Sequence, residues 1–171
     1  MFPVAPRLAL CALLLALAGC AGLQGVPGLG PDVSLREVGA ASPEVKKYKQ
    51  LTVFVSGTSN AMRSSGWSNT STALEKAFVS DVRSSGRFNV AEDGMRPQQL
   101  VAQLNVDSLR YVASGKPGAS TLKVTMTLKD RQNGRVLGTV SASAGDGKRE
   151  DSTEAQVEAV ASELADYLAA R

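Results

Sequence analysis

The sequence predicts an α+β fold, with a mixed or antiparallel sheet of about five strands and two helices packed on one of its faces. Residues 122–129 alternate apolar with polar side chains, which is typical of a strand with one buried face. Asn133 and Gly134 follow that segment, and this pair favours a two-residue type I′ hairpin turn. Near the end of the chain, Val157, Val160 and further apolar residues recur at helical spacing. The expected order of elements is β-α-β-β-β-β-α.

The first predicted strand is the β-branched and aromatic run 51–55, which we expect to be buried. Residues 56–71 are rich in serine, asparagine and glycine and predict a long loop or a frayed helix start. Thr72 and Glu75 have the spacing of a capping box, so we expect the first helix to begin there. Gly86 is expected to end that helix in a left-handed conformation. Its apolar face carries Leu74, Ala77, Phe78 and Val82.

Four further strands and a closing helix are expected after the first helix. Residues 87–90 predict a short strand, and 100–112 predict a long one with alternating apolar positions. The hairpin formed by 122–129 and 136–144 completes the sheet. The closing helix should lie across the sheet through Val157, Val160, Ala161, Leu164 and Leu168.

Composition excludes several kinds of site. The chain has 171 residues, no histidine, and only two cysteines, Cys11 and Cys20, both near the amino terminus. The folded part therefore lacks an imidazole base, a thiol nucleophile and a Cys/His zinc cluster. The formal charge of the whole chain, +3, comes from interspersed lysine, arginine, aspartate and glutamate, without a long basic block. We expect no enzymatic activity, no cofactor, no metal and no nucleic-acid partner.

Residues 1–19 have the profile of a secretory signal peptide. A short start with the single cation Arg7 precedes an apolar run over 8–17. A membrane-spanning helix needs about 20 apolar residues, so this run is too short to be one. Its length instead fits the apolar region of a signal that directs the chain out of the cytoplasm.

The end of that signal, Leu17-Ala18-Gly19-Cys20, resembles the lipobox of bacterial lipoproteins. The resemblance implies cleavage between Gly19 and Cys20, diacylglycerol on the Cys20 sulfur, and acylation of the new amino terminus. Ala21 stands where an aspartate would retain an enteric lipoprotein in the inner membrane, so the expected location is the periplasmic face of the outer membrane, or the cell membrane in a host without one. The alternative is an ordinary signal cleaved after small residues, with Cys20 incidental.

The remainder of the chain is expected to form a tether and one domain. Residues 20–45 are rich in glycine, proline and alanine, which favours a flexible tether after the lipidated cysteine. Residues 46–171 then form a single α/β periplasmic domain, long enough to bury a core without disulfides.

Two segments of this domain resemble a module of periplasmic lipoproteins. Residues 78–90 end in Ser-Gly-Arg-Phe-Asn-Val, and residues 102–106 read Ala-Gln-Leu-Asn-Val. Both are similar to segments of the curli-secretion lipoprotein CsgG, the amino-terminal domain of TolB, and lipoprotein families described only as domains of unknown function. The resemblance implies the α/β module alone, because this chain has neither the pore-forming insertions of CsgG nor the propeller of TolB.

These observations lead to two hypotheses about function. The first is a non-enzymatic envelope lipoprotein that serves as an assembly or interaction module for a periplasmic or outer-membrane complex. An exposed edge of the three-strand meander is the expected docking surface, where a partner strand could add to the sheet. The second is a carrier that holds a lipid or other hydrophobic small molecule between helix and sheet. The oligomeric state is left open.

Overall fold

The structure is a computed structural model that describes residues 31–91, 99–112, 119–145 and 152–171. The signal segment and the lipobox lie outside the described residues. The helical elements are a 3-10 turn at Pro43–Lys47 and the helices α1 Ser59–Met62, α2 Trp67–Ser84 and α3 Thr153–Ala169. The strands are β1 Val33–Gly39, β2 Gln50–Gly57, β3 Asn89–Val90, β4 Gln99–Arg110, β5 Thr121–Asp130 and β6 Val136–Ala144.

The strands form a single mixed sheet of six, in the spatial order β1-β6-β5-β4-β2-β3. Strands β4, β5 and β6 are the expected antiparallel meander. Strand β2 runs parallel to both β3 and β4. Helices α2 and α3 pack on one face of the sheet, so the α+β class is confirmed, with one strand more than expected.

The additional strand is β1, which lies inside the range predicted to be a flexible tether. It pairs antiparallel with β6, with Val33 opposite Ala144 and Leu35 opposite Ala142. Most of its residues are exposed, so they form no apolar run that a sequence pattern could detect. The compact unit begins at Pro31, and the predicted domain start at residue 46 is therefore wrong. Backbone pairing with β6, which composition does not reveal, orders this segment.

The core fills the layer between the helices and the sheet. Alternate residues of β4 and β5 are fully buried against the helices, including Leu104 and Met126. The predicted inner face of α2 is confirmed for Leu74, Phe78 and Val82, which are buried, and Ala77 lies partly buried beside them. Every residue predicted for the inner face of α3 is buried: Val157, Val160, Ala161, Leu164 and Leu168.

Helix α2 begins five residues before the predicted capping box, so that prediction is wrong. Its first residue is Trp67, and Gly66 precedes it without a side-chain cap. The Trp67 ring packs so closely on Gly57 that a Cβ there would lie 2.7 Å from ring atoms. The helix therefore starts at a residue whose ring packs against β2, and not at a side-chain cap. The predicted end is confirmed, because Gly86 has a φ of +66°.

The β5–β6 hairpin is confirmed, but its turn is longer than the predicted type I′ turn. Residues 131–135 form the loop, and the Gly134 amide donates to the Asp130 carbonyl at 2.8 Å. Two side chains accept from local amides: Asp130 from Gln132 at 2.8 Å, and Asn133 from Arg135 at 2.9 Å. Such local side-chain bonds stabilise a wider loop than the Asn-Gly pair alone predicts.

Candidate interaction groove at the free edge of the sheet

The edge predicted to be the docking surface is covered. Strand β6, the outer strand of the meander, pairs with β1 of the same chain from Thr139 to Ala144. The expectation of an open meander edge is therefore wrong, because it depended on β1 being part of a tether. Another part of the sheet has an open edge. Strand β3 pairs with β2 only at Gln50 and Leu51, so among the described residues the rest of β2 pairs on one side alone.

The open part of β2 presents backbone groups that can pair. Ala91 donates its amide to the Leu51 carbonyl at 2.9 Å, which shows that Leu51 points its backbone groups toward β3. Alternate residues of a strand point their amides and carbonyls to the same side, so Val53 and Val55 point the same way. The described part of the chain supplies no strand opposite them.

A groove of about 820 Å³ lies along this edge, between β2 and α2. It is lined by β2 residues 52–54, by one side of α2 from Thr72 to Ser84, and by Val90, Ala91 and Arg131. We call it the edge groove. Its α2 wall is the strip next to the buried stripe of that helix, where the residues are polar or only partly buried.

The edge groove combines apolar contact area with positive charge. Its apolar lining residues include Val53, Val79, Val90 and the Phe54 side chain, which is 51% exposed. The charged lining residues are Glu75, Lys76, Arg83 and Arg131. Cations exceed carboxylates, so the lining favours an occupant with apolar side chains and some negative charge. The prediction that all of the run 51–55 is buried is wrong at Phe54, because alternate residues of β2 face the side of the sheet opposite α2 and α3.

Arg131 is held at the groove by a short hydrogen-bond chain. Its Nη1 donates to the Thr52 Oγ1 at 3.3 Å, and that hydroxyl donates to the Gln99 Oε1 at 3.5 Å. Thr52 and Gln99 are both buried. The guanidinium therefore has a defined position beside the open part of β2.

The sheet face opposite the helices carries a network of polar side chains. Asp107 accepts from the Asn105 Nδ2 at 2.7 Å and from the Thr125 Oγ1 at 2.6 Å. Ser56 donates to the Asn105 Oδ1 at 3.2 Å, which extends the network across three neighbouring strands. These side chains bind one another across the strands, so this part of the face is polar.

The helix layer contains one electrostatically unfavourable contact. Asp81 of α2 faces Asp166 and Glu158 of α3. Partial burial, followed by repulsion from these two carboxylates, raises the pKa of Asp81. This group lies between the helices and not in the edge groove, so its charge bears on stability rather than on binding.

The Ser-Gly-Arg-Phe segment has a structural role in this protein. Arg87 donates to the Tyr48 carbonyl at 2.9 Å through Nη1 and to the Lys46 carbonyl at 3.0 Å through Nη2. Its guanidinium also lies over the Phe88 ring, 4.4 Å from the ring centroid. Arg87 therefore joins the 3-10 turn to β3, next to the left-handed Gly86.

The residues predicted for lipid attachment, Leu17, Ala18, Gly19 and Cys20, lie outside the described residues, so lipidation at Cys20 stays a prediction. The structure describes no cluster of three or more His, Cys, Asp or Glu side chains placed to hold a metal ion. Within the described ranges, no helix has the length and apolar character needed to cross a bilayer.

The fold is similar to that of PelC from Paraburkholderia phytofirmans. Two crystal forms of the PelC dodecamer, one of them carrying a single leucine-to-methionine substitution, superpose with TM-scores of 0.58 and 0.57. Identity is 16% and 17%, and each comparison covers 82% of this chain and 99% of PelC. A Xanthomonas campestris protein of the DUF330 family covers 71% of this chain and 81% of its own, at 13% identity and a TM-score of 0.48.

No protein-family model and no curated protein matches the sequence. At these identities the PelC comparison shows a shared fold. The resemblance to the CsgG and TolB modules stays a prediction.

Proposed function

We propose that this protein is a membrane-anchored envelope lipoprotein that acts as a non-enzymatic interaction module, and that it binds an extended protein segment in the edge groove. The observation that carries the proposal is the open edge of β2 beside a groove with apolar and cationic lining. Main-chain bonds to Val53 and Val55 would provide affinity, and side-chain contacts with the groove would provide specificity.

The proposed anchor and the groove are compatible. Strand β1 begins at Val33, so about a dozen residues separate the domain from Cys20, and a chain of that length spans at most about 45 Å. The domain would then be held close to its membrane, within reach of other envelope proteins. The PelC comparison supports an assembly role, since PelC shares the fold and has been crystallised as a dodecamer.

In-cell crosslinking tests this proposal. Wild type, Cys20→Ala and Phe54→Lys are crosslinked in whole cells, and the captured proteins are identified by mass spectrometry. Phe54 is half exposed, so lysine there should weaken binding without unfolding the domain. We expect wild type to capture envelope proteins or further copies of the chain. Phe54→Lys should lose whichever of these wild type captures.

Val136→Lys is the matched control, because Val136 is 54% exposed and does not line the edge groove. It should retain the captured proteins. Equal capture by wild type, Phe54→Lys and Val136→Lys would show that binding does not use the groove. Unchanged capture and membrane fractionation of Cys20→Ala would count against the lipid anchor.

A carrier of a lipid or other hydrophobic small molecule is the second candidate. The volume of the edge groove favours it, because small-molecule sites range from about 300 to 1,000 Å³. Native mass spectrometry of protein purified from its membrane separates the candidates. A bound small molecule that Phe54→Lys removes would favour the carrier, whereas ligand-free protein that retains its protein partners would favour the interaction module.

A further inference from the structure

The geometry points to a specific occupant of the edge groove: strand β1 of a second copy of this chain, which adds to β2 and joins the copies head to tail. This inference rests on the proposed function, since it assigns a partner to the same groove. It concerns the two lateral edges of the sheet, β1 at one side and the open part of β2 at the other.

Strand β1 has the properties of a strand that is covered by a partner. In the described part of the chain it pairs only with β6, so its other edge has no partner strand. Leu35 is 40% exposed and Val38 is 65% exposed. A seven-residue edge strand with exposed apolar side chains is prone to pair with another chain unless it is covered.

Exposed apolar side chains are concentrated at the two edges. Five large hydrophobic residues are exposed in the described ranges, and two of them, Leu35 and Val38, belong to β1. Phe54 belongs to β2, whereas Met62 belongs to the short helix α1, which packs mainly on β4. The fifth, Val136, begins β6. Each lateral edge therefore carries apolar surface that the other edge can cover.

The strand directions fit this contact. Strand β1 is antiparallel to β6, β6 to β5 and β5 to β4, whereas β4 and β2 are parallel, so β1 runs opposite to β2. Copies related by rotation about an axis along the strands would keep their helices on the same side of a continuous sheet. Strand β1 of one copy would then meet β2 of the next in the antiparallel sense, which supports regular hydrogen bonding.

The side chains also match face by face. Leu35 lies opposite Ala142, a buried residue on the helix side, so Leu35 would enter the groove beside Val53 and Val79. Arg36 lies on the other face, with Ser34, whose hydroxyl bonds Ser143 at 2.8 Å. On that face it would approach the exposed Phe54 ring, a favourable position for a guanidinium.

Charge complementarity supports the same arrangement. Glu37 follows Leu35 on the helix side of β1, and it would bring a carboxylate to a groove that includes Lys76 and Arg83. Within the chain Glu37 pairs with Arg171 and also interacts with Tyr167, and both side chains of the ion pair are substantially exposed. An exposed pair contributes little to stability, so Glu37 can share or exchange this partner.

A contact between two different edges is heterologous, so it continues from copy to copy. Such contacts give a closed ring when the rotation between copies closes and a filament when it does not. The PelC dodecamer is an example of a multi-copy assembly built on a similar fold.

Crosslinking between single-cysteine variants tests the inference in the full-length protein. Arg36→Cys and Phe54→Cys both replace exposed residues on the same face of the sheet, and the described ranges contain no native cysteine. The two variants are produced separately and together in the same cells and treated with a short bis-maleimide. Wild type reports any background from Cys11 or Cys20. We expect a crosslinked dimer when both variants are present, and a ladder of larger species from the double variant.

Leu35→Lys provides a second measurement, with Val136→Lys as the control. We expect Leu35→Lys to convert the assembly to monomers in light scattering while each copy stays folded, because Leu35 is partly exposed within one copy. Val136→Lys should leave the assembly intact.

Three results would overturn the inference: dimers of Arg36→Cys alone without mixed dimers, an assembly without crosslinks above the wild-type background, or a monomeric wild-type chain. The proposed function would survive each of them if Phe54→Lys still lost envelope proteins other than this chain. If Phe54→Lys lost no partner at all, the proposed function would be wrong.

Discussion

The two faces of the sheet are built from alternate residues of the same strands, yet different forces stabilise them. On the helix side, Leu104 and Met126 are completely buried beneath α2 and α3. On the opposite side, Asn105, Asp107 and Thr125 bind one another through hydrogen bonds at the surface. Burial of apolar area stabilises the first face, whereas directional bonds in contact with water organise the second.

This difference shows where stability and function separate. Removing a side chain from the helix side leaves a cavity, and removing one from the open side leaves room for water. The edge groove lies where the helix layer ends over β2, so it combines apolar side chains with accessible backbone. Substitutions on the two faces should therefore differ in how much they change the free energy of unfolding.

Leu104→Ala should lower the free energy of unfolding by about 2 to 5 kcal/mol, because Leu104 is fully buried and its loss creates a cavity. Gln103→Ala, one position away on the open face, is the matched control and should cost about 1 kcal/mol or less. Urea unfolding of both variants measures the difference. Equal destabilisation by the two would contradict the assignment of the faces.

Asp107→Ala should lower the free energy of unfolding by about 1 to 2 kcal/mol, since it removes the acceptor of two hydrogen bonds on a face that water can reach. Lys123→Ala, at an exposed position on the same face, should change it by about 0.5 kcal/mol or less. A cost for Asp107→Ala as large as that of Leu104→Ala would mean that the polar network is as important as the core.

Asp81→Asn should raise the free energy of unfolding slightly at neutral pH. The raised pKa of Asp81 means that the folded state binds its proton more readily than the unfolded state does. Its contribution is favourable at low pH and is lost as pH rises through the folded pKa, so the charged form destabilises the protein above that range.

The gain from Asp81→Asn should therefore disappear below about pH 4, where an unfolded aspartate is also protonated. Thermal unfolding of both proteins between about pH 3 and pH 8, a range that spans the titration of an aspartate, measures this dependence. A gain that persists unchanged at the acidic end would show that repulsion between α2 and α3 is not its cause.

Much of the fold followed from local patterns in the chain. The alternation over 122–129 and 136–144, the helical spacing from Val157 to Leu168 and the left-handed Gly86 all correspond to observed elements. The strand alternation and the helical spacing each reflect one face of an element packed against the core, whereas Gly86 reflects the backbone conformation that ends a helix. The start of α2 was misplaced, because packing of Trp67 on Gly57 involves residues from two separate elements.

The predicted position of the candidate site is wrong for a related reason. The free edge was expected at the meander, which β1 covers, and Phe54 was expected to be buried, although half of its side chain is exposed. The alternation Val33-Ser34-Leu35-Arg36 is too short to mark β1 by itself, and the strand gains its order from pairing with a strand about a hundred positions away. The short length of β3, which leaves part of β2 open, is likewise a property of strand pairing.

By itself, the sequence determined the α+β class, the meander, the inner faces of both long helices and the prediction of a lipid anchor at Cys20. Tertiary structure alone decided which edges are closed, where α2 begins and where the groove lies. The physical reason is the sequence distance between the residues involved. Apolar periodicity comes from neighbouring residues of one element, whereas closed edges and grooves are formed by elements that are distant in the chain.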